Sequence, residues 1–261
     1  MLLAIDVGNT DIVLGLFDGD RLRGHWRLTT DHHRTADELR LAAVASLCQA
    51  GFAPSDIDDA VVASVVPSQN RSIRQGLHPP LAHPPRFLDA TDAPIPLRVD
   101  EPTAVGADRI ANCIAAHHRY RENALVIDFG TAVTFDLVDA DGSFRGGAIA
   151  PEMRLAARAL VDRAARLHSV DLEVPESVVG RTTADNLRSG IVLGYLDLVS
   201  GLIGRFRRAV GPLRVIATGG NGELFARELG AIEEHDPFLT LEGLRLWRDL
   251  SRKETSPSHA R

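Results

Sequence analysis

The sequence predicts an α/β protein of two similar halves, each a mixed β-sheet with flanking helices, with a cleft between them. Three observations carry this. First, a pattern recurs: IDVGNTDIVLGLFDG from Ile5 and IDFGTAVTFDLVDAD from Ile127 both run Ile-Asp-x-Gly, a hydroxyl residue, an apolar strand and an acidic turn. An internal repeat outranks local detail in choosing a fold. Second, each copy opens a three-strand meander that gives way to helical periodicity, the alternation of an α/β layer protein. Third, 261 residues are enough for one large domain or two modest ones. The repeat divides the chain into 1–115 and 116–261, and clefts between repeated α/β halves commonly take ligands.

The elements follow in order. Leu2 to Asp6 reads as a buried strand and Asp11 to Phe17 as a second. Asp18-Gly19-Asp20 is a turn, and Arg21 to Leu28 is a third strand. Thr35 to Ala50 reads as a helix: Thr35 caps it, Glu38 completes a capping box and Gly51 stops it. Asp59 to Val66 is a buried strand closed by Pro67. A short helix and a Pro-rich connection from His78 to Pro102 lead to a helix over Gly106 to His118. The second half repeats the plan, with strands over Ala124 to Asp128, Ala132 to Val138 and Ser143 to Ile149. Helices are expected over Leu155 to Arg166 and Ala184 to Arg207. A strand over Arg214 to Thr218 and the turn Gly219-Gly220-Asn221-Gly222 lead into a last helix, and residues 251–261 read as a frayed tail.

Composition narrows the function. The chain is 44% hydrophobic and 25% charged, ordinary for a globular protein. A formal net charge of −6 argues against a nucleic-acid surface, which needs a basic face. No apolar stretch is read as crossing a bilayer, and MLLAIDVGNT lacks the basic leader of a signal peptide, so a cytoplasmic protein is expected. Cys48 and Cys113 are expected to be buried free thiols in a reducing compartment. His32-His33 and His117-His118 are adjacent pairs whose rings point apart, so neither is a metal site. Arg205 to Arg208 reads as the solvated end of a helix, and Trp26 and Trp247 as packing residues.

The chemistry lies in the turns. Gly8 lets the backbone approach a ligand, and Asn9 and Thr10 add side-chain donors, together a cradle for phosphate oxygens. Asp6 at the strand tip would repel phosphate directly but suits Mg²⁺ through water. Asp128, Gly130 and Thr131 repeat the device. One such turn is ordinary; two, each ending an apolar strand, point to a nucleotide triphosphate and its metal. Thr218-Gly219-Gly220 suits either a nucleotide lying on backbone or a plain strand-to-helix turn. Gly106-Ala107-Asp108-Arg109 opens a helix. Arg109 can hold a carboxylate, and Asp108 is a candidate general base for phosphoryl transfer.

These residues, with GGAIAP at Gly146, GRTTADNLRSG at Gly180, ATGG at Ala217 and DPFLTLEGL at Asp236, occur in an order that resembles the type III pantothenate kinase family. That family belongs to the superfamily of sugar kinases, actin and the large heat-shock chaperones. The resemblance implies duplicated ribonuclease H-like, actin-like halves and ATP-dependent phosphorylation of pantothenate to 4′-phosphopantothenate, the first step towards coenzyme A. It implies that Asp108 accepts the hydroxyl proton and that Gly106, Ala107, Asp108, Arg109 and Thr183 bind pantothenate. Asp6, Val7, Gly8, Asn9, Thr10, Asp11, Ile12, Val13 and Thr131 would hold Mg-ATP. Asp128 would hold K⁺ or NH₄⁺, and the helices around Thr183 would build a homodimer, with no nucleic-acid or membrane partner. Three positions depart from the family pattern. Asp11 stands where Asn is usual, adding negative charge beside the phosphate cradle, and its reversal is expected to raise ATP affinity if it repels phosphate. Glu152 follows Pro151 where Gly is usual, and Val99 stands where some relatives have an aromatic. Two rival readings are a catalytically weakened relative that binds nucleotide or regulates, and a hydrolase of phosphate esters or polyphosphate.

Overall fold

The structure, a computed structural model, describes residues 1–164 and 167–255. In chain order the elements are β1 (Leu2–Val7), β2 (Asp11–Asp18), β3 (Arg21–Thr29), α1 (Ala36–Gln49), β4 (Asp59–Ser64), α2 (Pro67–Leu77), β5 (Arg86–Phe87) and α3 (Ala107–Tyr120). Then come β6 (Ala124–Phe129), β7 (Ala132–Val138), β8 (Phe144–Pro151), α4 (Met153–Arg163), α5 (Thr183–Arg188), α6 (Gly194–Val210), β9 (Arg214–Gly219), α7 (Gly222–Glu228), β10 (Glu234–His235) and α8 (Leu239–Thr255). A π-helical turn, Ser189–Leu193, joins α5 to α6. The far end of the helix expected to reach Arg166 lies outside the described residues; of the frayed tail expected over 251–261, residues 251–255 instead continue α8, and 256–261 lie outside the described residues.

Two five-stranded sheets result, ordered β3-β2-β1-β4-β5 and β8-β7-β6-β9-β10. The orders are the same plan twice. β1 pairs antiparallel with β2 and parallel with β4, and β6 pairs parallel with β9. The repeat read in the sequence is a repeat of topology.

The chain forms two compact units. The first comprises Met1–Arg121, Val138–Gly146 and the segment from Phe238 onward; the second comprises Glu122–Leu137 and Gly147–Pro237. In the first unit Leu3, Ile5 and Val7 of β1 alternate onto one sheet face and bury with Leu39, Ala43 and Leu47 of α1 and Ile73 and Leu77 of α2. Thr35 caps α1 and Glu38 returns the bond, the expected capping box. In the second unit Leu125, Ile127 and Phe129 of β6 bury with Val192, Leu196, Val199 and Ile203.

The division at 115/116 differs from these units, because α8 returns to the first one. It packs on α3, β1 and β4. Gly243 lies so close to the Ala111 carbonyl that a Cβ there would collide, and the Thr240 hydroxyl donates to the buried Asn112 Oδ1 at 2.9 Å. Helix α8 itself is missed in the sequence. Its first half is buried, including Arg245, which pairs with Glu242 and Asp249 at 2.6 and 2.9 Å. Leu239, Leu246 and Leu250 stand at helical spacing, so the helical period is present in the sequence.

Two further expectations are corrected. Cys113 is buried but Cys48 is exposed: it follows Leu47 by one position and so turns about 100° away from the buried Leu39–Ala43–Leu47 stripe. The helical stretch Thr183–Val210 is, by length and composition, apolar enough to cross a membrane. Its apolarity has a local use, since Val192, Leu196, Val199 and Ile203 form one stripe in the core of their unit.

Candidate active site

In the first unit, β1 and β2 close a tight turn. The Gly8 amide donates to the Asp11 carbonyl at 2.9 Å, and Asn9 and Thr10 are exposed at its tip. Thr30, just past β3, braces the turn from the side: its hydroxyl donates to the Gly8 carbonyl at 2.6 Å and its amide to the Thr10 carbonyl at 2.7 Å. Asp6 is half-buried on the sheet face opposite the Leu3–Ile5–Val7 stripe. Val7 and Ile12 have core side chains, each 0% exposed, so only their backbone can meet a ligand. Val13 is half-buried. Asp11 Oδ2 accepts from Arg27 Nη1 at 2.7 Å. The charge expected to burden the cradle is offset by its own counter-ion.

Helix α3 begins at the Gly106-Ala107-Asp108-Arg109 motif, with Gly106 as its N-cap. The Asp108 carboxylate folds back over the first turn. Its Oδ1 accepts from the Arg109 amide at 2.8 Å and lies 2.5 Å from where a Cβ on Gly106 would stand. Glycine here leaves the carboxylate its seat. Ala107 is buried and offers backbone alone, while Asp108 and Arg109 are half-buried. The Arg109 guanidinium stands over the Phe144 ring, 5.2 Å from its centroid. Val65, one residue past β4, connects the two motifs: its amide donates to the Val7 carbonyl at 3.0 Å, and its side chain is the next neighbour of Gly106, at 3.4 Å from the same Cβ position.

In the second unit the repeated turn and the glycine turn meet. Asp128 registers with Thr218 across the parallel β6–β9 pair. Gly219 has φ +83°, and a Cβ on it would fall 2.5 Å from Asp128 Oδ1 and 2.7 Å from the Phe129 carbonyl. Only glycine fits that conformation and that approach. The Gly220 amide then donates to the Phe129 carbonyl at 3.1 Å. Thr218 is buried; Gly130 and Thr131 are exposed. Thr183 is also exposed, at the first position of α5, behind a capping box made by Thr182 and Asp185.

Glu152 needs none of glycine's freedom. Its backbone is extended (φ −72°, ψ 148°) and its side chain caps α4, Oε2 accepting from the amides of Arg154 and Leu155 at 2.8 and 3.0 Å. Val99 Cγ1 stands 3.5 Å from where a Cβ on Gly146 would be. Among the described residues no cluster of three His, Cys, Asp or Glu side chains could hold a metal ion. Sequence reasoning missed Arg27, Thr30 and Val65. Each reaches its motif from a distant part of the chain, as Thr30 does across 22 positions, and no local signal marks it. Asn221 was read only as part of the glycine turn, and its bond to Glu152 across 69 positions was not legible.

Two acidic strand tips, each followed by a glycine-bearing turn in a repeated α/β unit, belong to an actin-like fold. Solved structures agree on the fold. A ROK hexokinase from Thermus thermophilus matches with TM-score 0.50 at 18% identity, over 97% of this chain and 99% of that one. A conserved protein of Campylobacter jejuni assigned to the Baf family of transcriptional activators matches with TM-score 0.62 at 17% identity, over 96% and 99%. At such identities the likeness is one of fold alone. Sequence comparison is closer: the family model for type III pantothenate kinase matches residues 2–205. The type III pantothenate kinase of Roseiflexus sp. (strain RS-1) is 44% identical over 255 residues, 97% of this chain and the whole of that protein. That of Rhodospirillum rubrum is 44% identical over 247 residues, 94% and 96%. The chain belongs to the type III pantothenate kinase family.

Proposed function

We propose that the protein transfers the γ-phosphoryl group of ATP to pantothenate, giving 4′-phosphopantothenate, as the first step of coenzyme A biosynthesis. The observation that carries this is the Asp108 carboxylate, seated over Gly106 by the first turn of α3. Asp108 takes the proton from the attacking hydroxyl. A carboxylate held on a rigid helix start needs no reorganisation to act as a base. Arg109, its guanidinium over Phe144, binds the pantothenate carboxylate in a forked pair, and Thr183 adds a hydroxyl contact. The amides and hydroxyls of Gly8, Asn9 and Thr10 receive phosphate oxygens, with Thr131 assisting from the repeated turn; Val7 and Ile12 contribute backbone only.

Asp6 at the tip of β1 is the carboxylate that would hold Mg²⁺, through water. The ion would supply neutralisation of charge on the transferring phosphoryl group. Asp128 suits a monovalent cation, K⁺ or NH₄⁺. The protein works in the cytoplasm as a homodimer. Exposed Ile149, Leu155, Leu160, Val178 and Val179, all in the second unit, support an apolar contact between copies.

The test is ATP consumption with and without pantothenate, in K⁺ and again in Na⁺. Turnover that requires both pantothenate and K⁺ is expected. ATP hydrolysis indifferent to pantothenate would contradict the assignment.

A further inference from the structure

Glu152 does more than cap α4. Its second carboxylate oxygen, Oε1, accepts from Asn221 Nδ2 at 2.7 Å, across 69 positions of chain. The side chain is buried, at 9% exposure, and all three of its hydrogen bonds come from donors on two separate elements: the Arg154 and Leu155 amides of α4, and the Asn221 amide group at the N-cap of α7. The cap is anchored from a third side, where the Tyr195 hydroxyl of α6 donates to the neighbouring Pro151 carbonyl at 3.0 Å.

Asn221 directly follows Gly219 and Gly220. Gly219 is in the left-handed region and lies against Asp128 and Phe129, and Gly220 is bonded to the Phe129 carbonyl. The glycines themselves offer no side chain to hold the turn. The Glu152–Asn221 bond supplies that hold.

We propose that Glu152 is a positioning residue for nucleotide binding: through Asn221 it fixes the Thr218-Gly219-Gly220 turn in the conformation that receives ATP. This rests on the reading of the protein as an ATP-dependent kinase. Three donors converge on one side chain from two directions, and a carboxylate, whose two oxygens both accept, satisfies them all. A glutamine keeps the match only if the Asn221 amide turns over to present Oδ1, whereas Asn221→Asp sets carboxylate against carboxylate and Asn221→Ala removes the donor. An exchanged pair, glutamine at 152 and aspartate at 221, restores the match with donor and acceptor reversed.

The experiment titrates ATP into the full-length protein by calorimetry without pantothenate, for wild type, Glu152→Gln, Asn221→Asp, Asn221→Ala and the double variant Glu152→Gln/Asn221→Asp. KM values for ATP and pantothenate and thermal melts are measured in parallel. Asn221→Asp and Asn221→Ala are each expected to bind ATP about tenfold more weakly, the scale of one lost buried hydrogen bond, with KM for pantothenate unchanged, while Glu152→Gln, which keeps the bond by turning the Asn221 amide over, is expected to bind ATP nearly as wild type. The double variant is expected to recover most of the loss. Asn221→Ala leaves the α4 cap intact and so separates the turn from the helix. Folded Asn221→Asp and Asn221→Ala with wild-type ATP affinity, no recovery in the double variant, or equal rises in both KM values would overturn the proposal. Wild-type protein that binds ATP but does not phosphorylate pantothenate would remove the kinase assignment while the ATP titrations still support the role of Glu152. Wild-type protein that binds no ATP would overturn both.

Discussion

At the scale of single residues, the hairpins were legible in the sequence because they occur twice, each with its acid, glycine and hydroxyl in a fixed order. Their supports were not legible, because they arrive from far along the chain. Arg27 is such a support. Paired with Asp11, it keeps a negative charge from standing beside the phosphate cradle. Replacing Arg27 by alanine should raise KM for ATP a few-fold, the size expected of a partly exposed ion pair, and adding Asp11→Asn should restore it; steady-state kinetics checks both. Gly106 illustrates a different dependence. Its φ of −61° is open to any residue, but a methyl group there displaces the Asp108 carboxylate. Gly106→Ala should melt close to wild type while kcat falls by about ten- to a hundredfold. Melting curves and kcat measured together separate this from simple loss of fold. Asp11 and Glu152 read in the sequence as possible defects. One has a counter-ion and the other caps a helix, and neither fact can be seen without the fold.

At the scale of elements, strands and amphipathic helices were legible wherever one face is buried and the other is not. α8 is the exception: Leu239, Leu246 and Leu250 stand at helical spacing, but the stretch was read only as the motif DPFLTLEGL, and with it went the composition of the first unit. Helix α3 combines the site with an acid-sensitive end. His117 in its last turn has a buried, unpartnered Nδ1, and its Nε2 is 3.0 Å from Arg121 Nη1. Burial, and then the charge of Arg121, push its pKa below the usual histidine value. The folded protein therefore binds this proton less readily than the unfolded chain. At neutral pH the ring is neutral in both states, and the shift contributes nothing to stability. As pH falls through about 6.5 the unfolded chain gains the proton first, and stability is lost until pH reaches the lower folded value. His117→Gln should lose less melting temperature than wild type between pH 7 and pH 5.5. Parallel melting curves would contradict that contribution.

At the scale of the molecule, the duplication decides the architecture. Two sheets with the same strand order carry an acidic strand tip and a glycine-bearing turn each, and family membership follows from sequence along nearly the whole chain. The apolar residues exposed on the second unit are expected to be covered by a second copy. Leu160→Asp should shift the protein from dimer to monomer in sedimentation experiments, and an unchanged mass would exclude that surface. The central claim is that this chain phosphorylates pantothenate with Asp108 as the base. It is tested most directly by Asp108→Asn, assayed for ATP-dependent formation of 4′-phosphopantothenate beside wild type at saturating K⁺. The expected result is a fall in kcat of about 10²–10⁴, with ATP affinity and melting temperature retained. Turnover near the wild-type rate would contradict it.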